Sequence, residues 1–206
     1  MSMAASAGPA TPAHDDPALV EDRQRIAVLL FLGADAVFVL CLLFSYFYLR
    51  GLNVQGMWIP AGTHTAPVWA VWTIAAVIVA SALAYRWGER GIRAGDRARL
   101  VAGTSLALAL LLVDAVLQAW QLSALPFRAS DGAYAGSFVV LAGYHLFHLV
   151  VTGLLGLGLW NRARAGRYDA ARFGQVRLMG YVWSWVAAVA VLTAITTLFV
   201  ASPKVS

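Results

Sequence analysis

The chain has 206 residues, 61% of them hydrophobic and only 12% charged, about half the charged share of an ordinary soluble domain, which is roughly 25%. That composition excludes a water-soluble enzyme and places the chain in lipid. A formal charge of +5 does not make it a nucleic-acid binder, because that reading needs basic residues gathered on a polar domain and here they lie in short strings between apolar runs.

In chain order, residues 1–25 form a polar tail in which Ala, Pro and Gly mix with acidic residues. The tail lacks the charged start and short apolar core of a cleaved signal peptide, so a flexible or partly helical segment is expected. Residues 26–202 then form one all-α domain with five membrane spans, at about 26–49, 67–87, 100–122, 135–160 and 178–200. Each is long enough for a hydrocarbon core of about 30 Å, which takes roughly 20 helical residues. The connectors are short and rich in Gly, Pro and Arg, too small to fold alone. Cys41, the only cysteine, lies within the first span, so neither an intrachain disulfide nor a cysteine-based metal site is available.

Basic residues set the expected orientation. The N-terminus and the 88–99 and 161–177 loops, with their flanks, carry twelve of the fifteen Lys and Arg residues. The opposite side carries Arg50, Arg128 and Lys204. The N-terminus is therefore expected in the cytoplasm and the C-terminus outside. Trp58, Trp69, Trp87, Trp160 and Tyr85 fall near span ends, where amphipathic rings favour the interface.

Four ionisable side chains lie well inside spans: Asp35, Asp114, His145 and His148. A charge at the bilayer centre costs at least about 2.5–3.5 kcal/mol, so each should face protein or water and find a partner. Asp35 lies roughly 14 Å into span one at 1.5 Å per residue, and Asp114 and the histidines reach a similar depth. Residues three and four apart share a helix face. His145, His148 and Thr152 thus form one polar stripe, and Thr104, Asp114, Gln118 and Gln121 another. Gly143, Gly153 and Gly156 on span four permit close helix packing.

Histidines three apart on one helix cannot ligate opposite faces of one haem iron, and no second histidine is available elsewhere in the spans. The Glu-x-x-His motifs and bridging glutamates of carboxylate-bridged metal bundles are absent as well. No catalytic, metal-binding or cofactor-binding residue is therefore assigned. Two uses remain open for the pair: a neutral, hydrogen-bonded interior cluster, or a proton relay, since histidine and carboxylate chains serve both.

The stretch FVVLAGYHLFHLVVTG, Phe138 to Gly153, resembles the signature helix of subunit III of the haem-copper respiratory oxidases, the cytochrome c and quinol oxidases. In that helix an aromatic residue and a small-Gly step precede a histidine, two residues and a second histidine. LLFLGADAVFVLCLLFSYFYLR is similar to another helix of the family, with Asp35 at its acidic position. LLVDAVLQAWQL resembles its Gln-x-x-Glu pattern, with Gln118 matching and Gln121 in place of the acid. The five-span count agrees with the short, five-helix form. Before the last span the family has a Trp-His-Phe-x-Asp-like motif. Here YVWSWVAAV sets Ser184 at the histidine and Ala187 at the aspartate, so two polar groups that would pin the fifth helix are expected to be missing.

The resemblance implies a divergent, non-catalytic subunit. It would hold no haem or copper, which belong to subunits I and II, and would bind phospholipid in a cleft. It would support assembly and sustained proton uptake by a complex that reduces oxygen to water and pumps protons. It makes Asp35, His145 and His148, with Gln118 and Asp114, the candidate polar cluster beside the cleft, a place associated with oxygen or proton access. Two alternatives are a related accessory protein of nitric oxide reductase and a small proton-conducting membrane protein. The high Ala and Arg content points to a bacterial chromosome and hence to the bacterial inner membrane.

Overall fold

The computed structural model describes residues 17–53 and 58–199. Most of the expected N-terminal tail, and Lys204, lie outside the described residues. Five long helices follow one another: α1 (Pro17–Leu52), α2 (Val68–Arg93), α3 (Arg97–Ser123), α4 (Ala133–Arg164) and α5 (Gly174–Phe199), with a single 3₁₀ turn at Ala129–Asp131. All five are apolar and long enough to cross a membrane. The helices overrun the predicted spans because hydropathy locates only the hydrocarbon part. Helices of 26 to 36 residues are about 39–54 Å long at 1.5 Å per residue. The residues from Pro17 to Arg25, expected within the tail, are the first turns of α1, and proline suits a first helical position because it has no N–H to leave unpaired.

α2 and α3 form a tight antiparallel hairpin. Gly95, at φ +80°, supplies the left-handed residue that ends α2, and the Asp96 side chain accepts from Arg99 N at 2.9 Å to cap α3. Between lipid-embedded helices the hydrophobic effect gives little attraction, so backbones gain by approaching closely at small residues. Gly103 faces Gly88, and a Cβ on Gly103 would stand 2.6 Å from Gly88 Cα. Backbone cannot yield as a side chain can. Gly103→Ala is therefore expected to destabilise the bundle by about 1–3 kcal/mol, as overpacking does. Gly158→Ala, with nothing within 4 Å of its Cβ, should be neutral or slightly stabilising. Thermal unfolding of the two variants in detergent checks the contrast.

Two apolar clusters fill the bundle. The one toward the arginine-rich loops centres on Tyr85, Leu149 and Trp183. The one at the opposite end centres on Tyr46, Trp58, Tyr134 and Phe138. Trp69 and Trp87 are exposed, as interface anchors should be, but Trp58 and Tyr85 are buried. Trp58 packs edge-on against Tyr46 and Tyr134, and Tyr85 Oη donates to Val176 O at 2.8 Å. Proximity to a span end had placed both at the lipid surface; their rings are instead enclosed by neighbouring helices.

α1 stands apart. Among the described helices it packs on α4 and α5, and along most of its length it is exposed, with Phe31, Phe38, Leu40 and Phe44 turned outward. Its polar ties include Glu21, which meets Arg177 of α5 at 3.2 Å near one end, and Asp35, which meets α4 and α5 at mid-membrane depth.

Candidate functional site

Asp35 of α1 reaches two other helices with one carboxylate. Tyr144 Oη and Trp185 Nε1 both donate to Asp35 Oδ2 at 2.6 Å, while His148 Nε2 lies 3.2 Å from Oδ1. Tyr144 and His148 are i and i+4 on α4 and so share a face. His148 Nδ1 lies 2.9 Å from Tyr144 O, a carbonyl that can only accept, so Nδ1 carries a hydrogen. One proton then remains to be held between His148 Nε2 and Asp35 Oδ1. Whichever atom holds it, the pair is net neutral, which is the condition for keeping an acid in lipid.

The second pair lies on the other side of α4. Asp114 of α3, fully buried, places Oδ2 2.9 Å from His145 Nε2. Its Oδ1 has no partner among the described residues. Four residues on, Gln118 Nε2 donates to Gln121 Oε1 at 2.9 Å. The five residues read from the sequence as one cluster are thus divided into Asp35–His148, Asp114–His145 and Gln118, whose partner is a sixth residue, Gln121. A double-mutant cycle distinguishes this from a single network. Asp114→Leu with His145→Leu should return a coupling of roughly 1–3 kcal/mol, whereas Asp114→Leu with His148→Leu should be additive within about 0.5 kcal/mol.

The two polar groups of the family motif are missing, with Ser184 and Ala187 in their places, and the fifth helix is pinned by other bonds. Ser184 Oγ accepts from Arg86 Nε at 3.1 Å and Nη2 at 3.0 Å. Trp183 Nε1 donates to Ser81 Oγ at 2.9 Å, and Trp185 reaches Asp35. Three consecutive residues of α5 therefore tie it to α2 and α1. A hydroxyl in place of an imidazole suffices because the arginine comes to it.

That arginine belongs to a cluster the sequence reading missed. Glu89 is 1% exposed, bonded to Arg86 Nη1 at 2.8 Å and to Arg93 as well. Hydropathy had assigned it to a polar loop, since the apolar run ends at Trp87. The signal was present in the spacing: Arg86, Glu89 and Arg93 recur at three and four residues, so opposite charges share one face. Gly180 makes room for the carboxylate, as a Cβ there would stand 2.7 Å from Glu89 Oε2.

Beyond the spans, Asp169 in the α4–α5 connector accepts from Ala171 N, Arg172 N and the Arg172 guanidinium. The Arg172 side chain holds its carboxyl below the usual carboxylate range. Among the described residues no group of three or more His, Cys, Asp or Glu side chains converges. What the site offers chemically is two buried acid–imidazole pairs, each able to hold a proton, at two different surfaces of α4.

Residues 8–200 match the family model described as cytochrome c oxidase subunit III. Curated relatives include cytochrome c oxidase subunit 3 of Paracentrotus lividus, 26% identical over 138 residues, covering 65% of this chain and 53% of the relative. The protein of that name from Sus scrofa is 25% identical over 137 residues, 65% of this chain and 52% of its own length. That of Danio rerio is 26% identical over 142 residues, 67% and 54%. The chain spans about half the length of these relatives.

Proposed function

Because this chain belongs to the cytochrome c oxidase subunit III family, we propose that it is the non-catalytic subunit III of a haem-copper terminal oxidase. The observation that carries the reading is the family match along nearly the whole chain. The architecture supports it: a multi-pass helical domain whose interior polar groups bond mainly to one another and whose outer faces are apolar. The complex around it reduces oxygen to water and pumps protons, and the haem and copper sit in subunits I and II. Its own part is to brace that complex in the membrane and to sustain proton uptake. Asp35 and His148, at the α1–α4 contact, are the polar groups nearest a lipid-facing groove lined by Phe31, Phe38, Leu42 and Phe147. The family match favours neither the nitric oxide reductase alternative nor a free-standing proton conductor.

Bound phospholipid fits a second groove, between α1 and the α4–α5 pair. Its shaft is apolar, with Val28, Leu155, Leu159 and Met179. Its mouth carries Arg162, Arg167 and Tyr168. An apolar shaft capped by cations matches an acyl chain beneath an anionic headgroup.

The alanine and arginine content supports a bacterial plasma membrane as the location. The arginine bias supports a cytoplasmic N-terminus, and a cysteine introduced at Ala170 should then be protected from an impermeant thiol reagent in intact cells. Labelling at that position reverses the orientation. Mild-detergent affinity purification of the tagged chain tests the assignment itself. Mass spectrometry should find a multi-span haem-copper subunit, a cupredoxin-like subunit II and retained phospholipid. Recovery of a nitric oxide reductase pair, or of the chain with lipid alone, overturns it.

A further inference from the structure

The two histidines of α4 line different spaces. His148 lines the apolar groove beside α1. His145 lines a cavity between α2, α3, α4 and α5, together with Gln118 and Gln121 of α3 and Thr193 and Thr197 of α5. The remaining lining is apolar, from Val71 and Ile74 on α2 and Phe138 on α4 among others.

Gln121 is the anomaly in that wall. It is 4% exposed, its Oε1 is taken by Gln118, and its Nε2 has no partner among the described residues. A buried amide left without a partner costs about 1–3 kcal/mol. The cavity next to it offers about 30 Å³ to water, and one water takes roughly 10–15 Å³ on that measure. A buried water also needs two to four polar partners. The Gln121 amide supplies a donor. Thr197 Oγ1 spends its hydrogen on Thr193 O at 2.8 Å, which leaves its lone pairs to accept. The His145 ring closes the set at the deep end. An apolar cavity of this size stays dry; this one carries two amides, two hydroxyls and an imidazole.

Position gives the cavity a direction. Gln121 and Thr197 lie near the ends of α3 and α5, and Val71 near the start of α2, all at the end of the bundle that bears the 124–132 connector. His145 lies deeper. Its Nε2 is 2.9 Å from Asp114 Oδ2.

We propose that the cavity between α2, α3, α4 and α5 binds one or two ordered waters, anchored by Gln121 and Thr197. These waters make His145 a proton-exchange site reached from the 124–132 end of the bundle. His148, in its apolar groove, is closed to that route. The Asp114–His145 pair is therefore in contact with the aqueous phase, and the Asp35–His148 pair is not.

The test uses the full chain in phospholipid bilayers, with ¹⁵N-labelled histidine and glutamine, followed by solid-state NMR. Magnetisation transfer from water should reach the Gln121 side-chain amide, and the His145 ring N–H should exchange into D₂O at least about ten-fold faster than that of His148, which must wait for local opening. Gln121→Leu and Thr197→Val should each slow exchange at His145 several-fold and leave the His148 signals in place, which reports an intact fold. Thr197→Val is nearly isosteric and keeps the test open if Gln121→Leu fails to fold. Absence of water contact at Gln121 in the wild-type chain overturns the proposal. Exchange at His145 that neither substitution alters overturns it too, because water then arrives by another path.

Discussion

Asp35→Leu is expected to destabilise the bundle by about 3–5 kcal/mol, the range for removing one partner of a buried pair, while Asp35→Asn stays within about 1 kcal/mol of wild type. Leucine fills the space but takes the only acceptor from the Tyr144 hydroxyl and the Trp185 indole, and each stranded donor carries its own penalty. Asparagine behaves differently for a specific reason. Its oxygen replaces Oδ2 and receives the same two donors. Its NH₂ replaces Oδ1 and points at His148 Nε2. Since His148 carries a hydrogen on Nδ1, facing Tyr144 O, a neutral imidazole offers the Nε2 lone pair to that NH₂. Every hydrogen bond survives, and only the shared proton is gone. Thermal unfolding of the two variants measures the contrast. In the parent complex, Asp35→Asn separates bracing from proton handling: an assembled complex with normal turnover assigns Asp35 to bracing alone. On the proposed assignment, the haem content of the complex should be unchanged by Asp35→Asn, and loss of haem would place Asp35 in a cofactor site.

Trp183→Ala should cost about 3–5 kcal/mol, the usual range for a buried tryptophan. The ring is fully buried and stacks on Tyr85 with centroids 4.6 Å apart. It fills the hollow left by Gly156, where a Cβ would stand 2.8 Å from Trp183 Cη2. Its indole N–H begins a chain across three helices, donating to Ser81 Oγ, which in turn donates to Ala107 O at 2.7 Å. Trp183→Phe keeps most of the stacking. It also leaves Ser81 with its own donor bond intact, so only an acceptor lone pair goes unused, and the cost should fall to about 1–2 kcal/mol. Unfolding of the two variants, compared with Tyr85→Phe, shows whether packing or the polar chain dominates. A Trp183→Phe loss as large as that of Trp183→Ala sinks the packing account.

The five helices were legible because a membrane span is a local property: about 20 apolar residues declare themselves without reference to the rest of the chain. The mid-membrane acids and histidines were legible for the same reason, since an ionisable group in lipid needs a partner. Which acid meets which histidine was not. Helical spacing shows that His145 and His148 share a broad face, but the division between Asp114 and Asp35 depends on which side of that face each neighbour takes. Trp185 was invisible as an Asp35 donor because an indole in an apolar run reads as bulk. Glu89 was lost to the opposite error, in which a charge next to arginines reads as loop although helix α2 carries it inward. Ser184 and Ala187, judged against a family pattern, showed which polar groups are missing but not which residues hold α5 instead. Counting the residues that replace a lost bond would have required knowing that Arg86 lies across from Ser184.

The isolation of α1 has a consequence for how the protein is made. α1 is made before α2 to α5, yet the residues that satisfy Asp35 lie 109, 113 and 150 positions downstream. At roughly 5–20 residues per second its carboxyl crosses into lipid several seconds or more before Trp185 exists. α1 must therefore hold its place by apolar length alone while the other four helices insert. The Asp35 contact to α5 can close only after Trp185 has been made, so α1 cannot finish docking before α5 is in place.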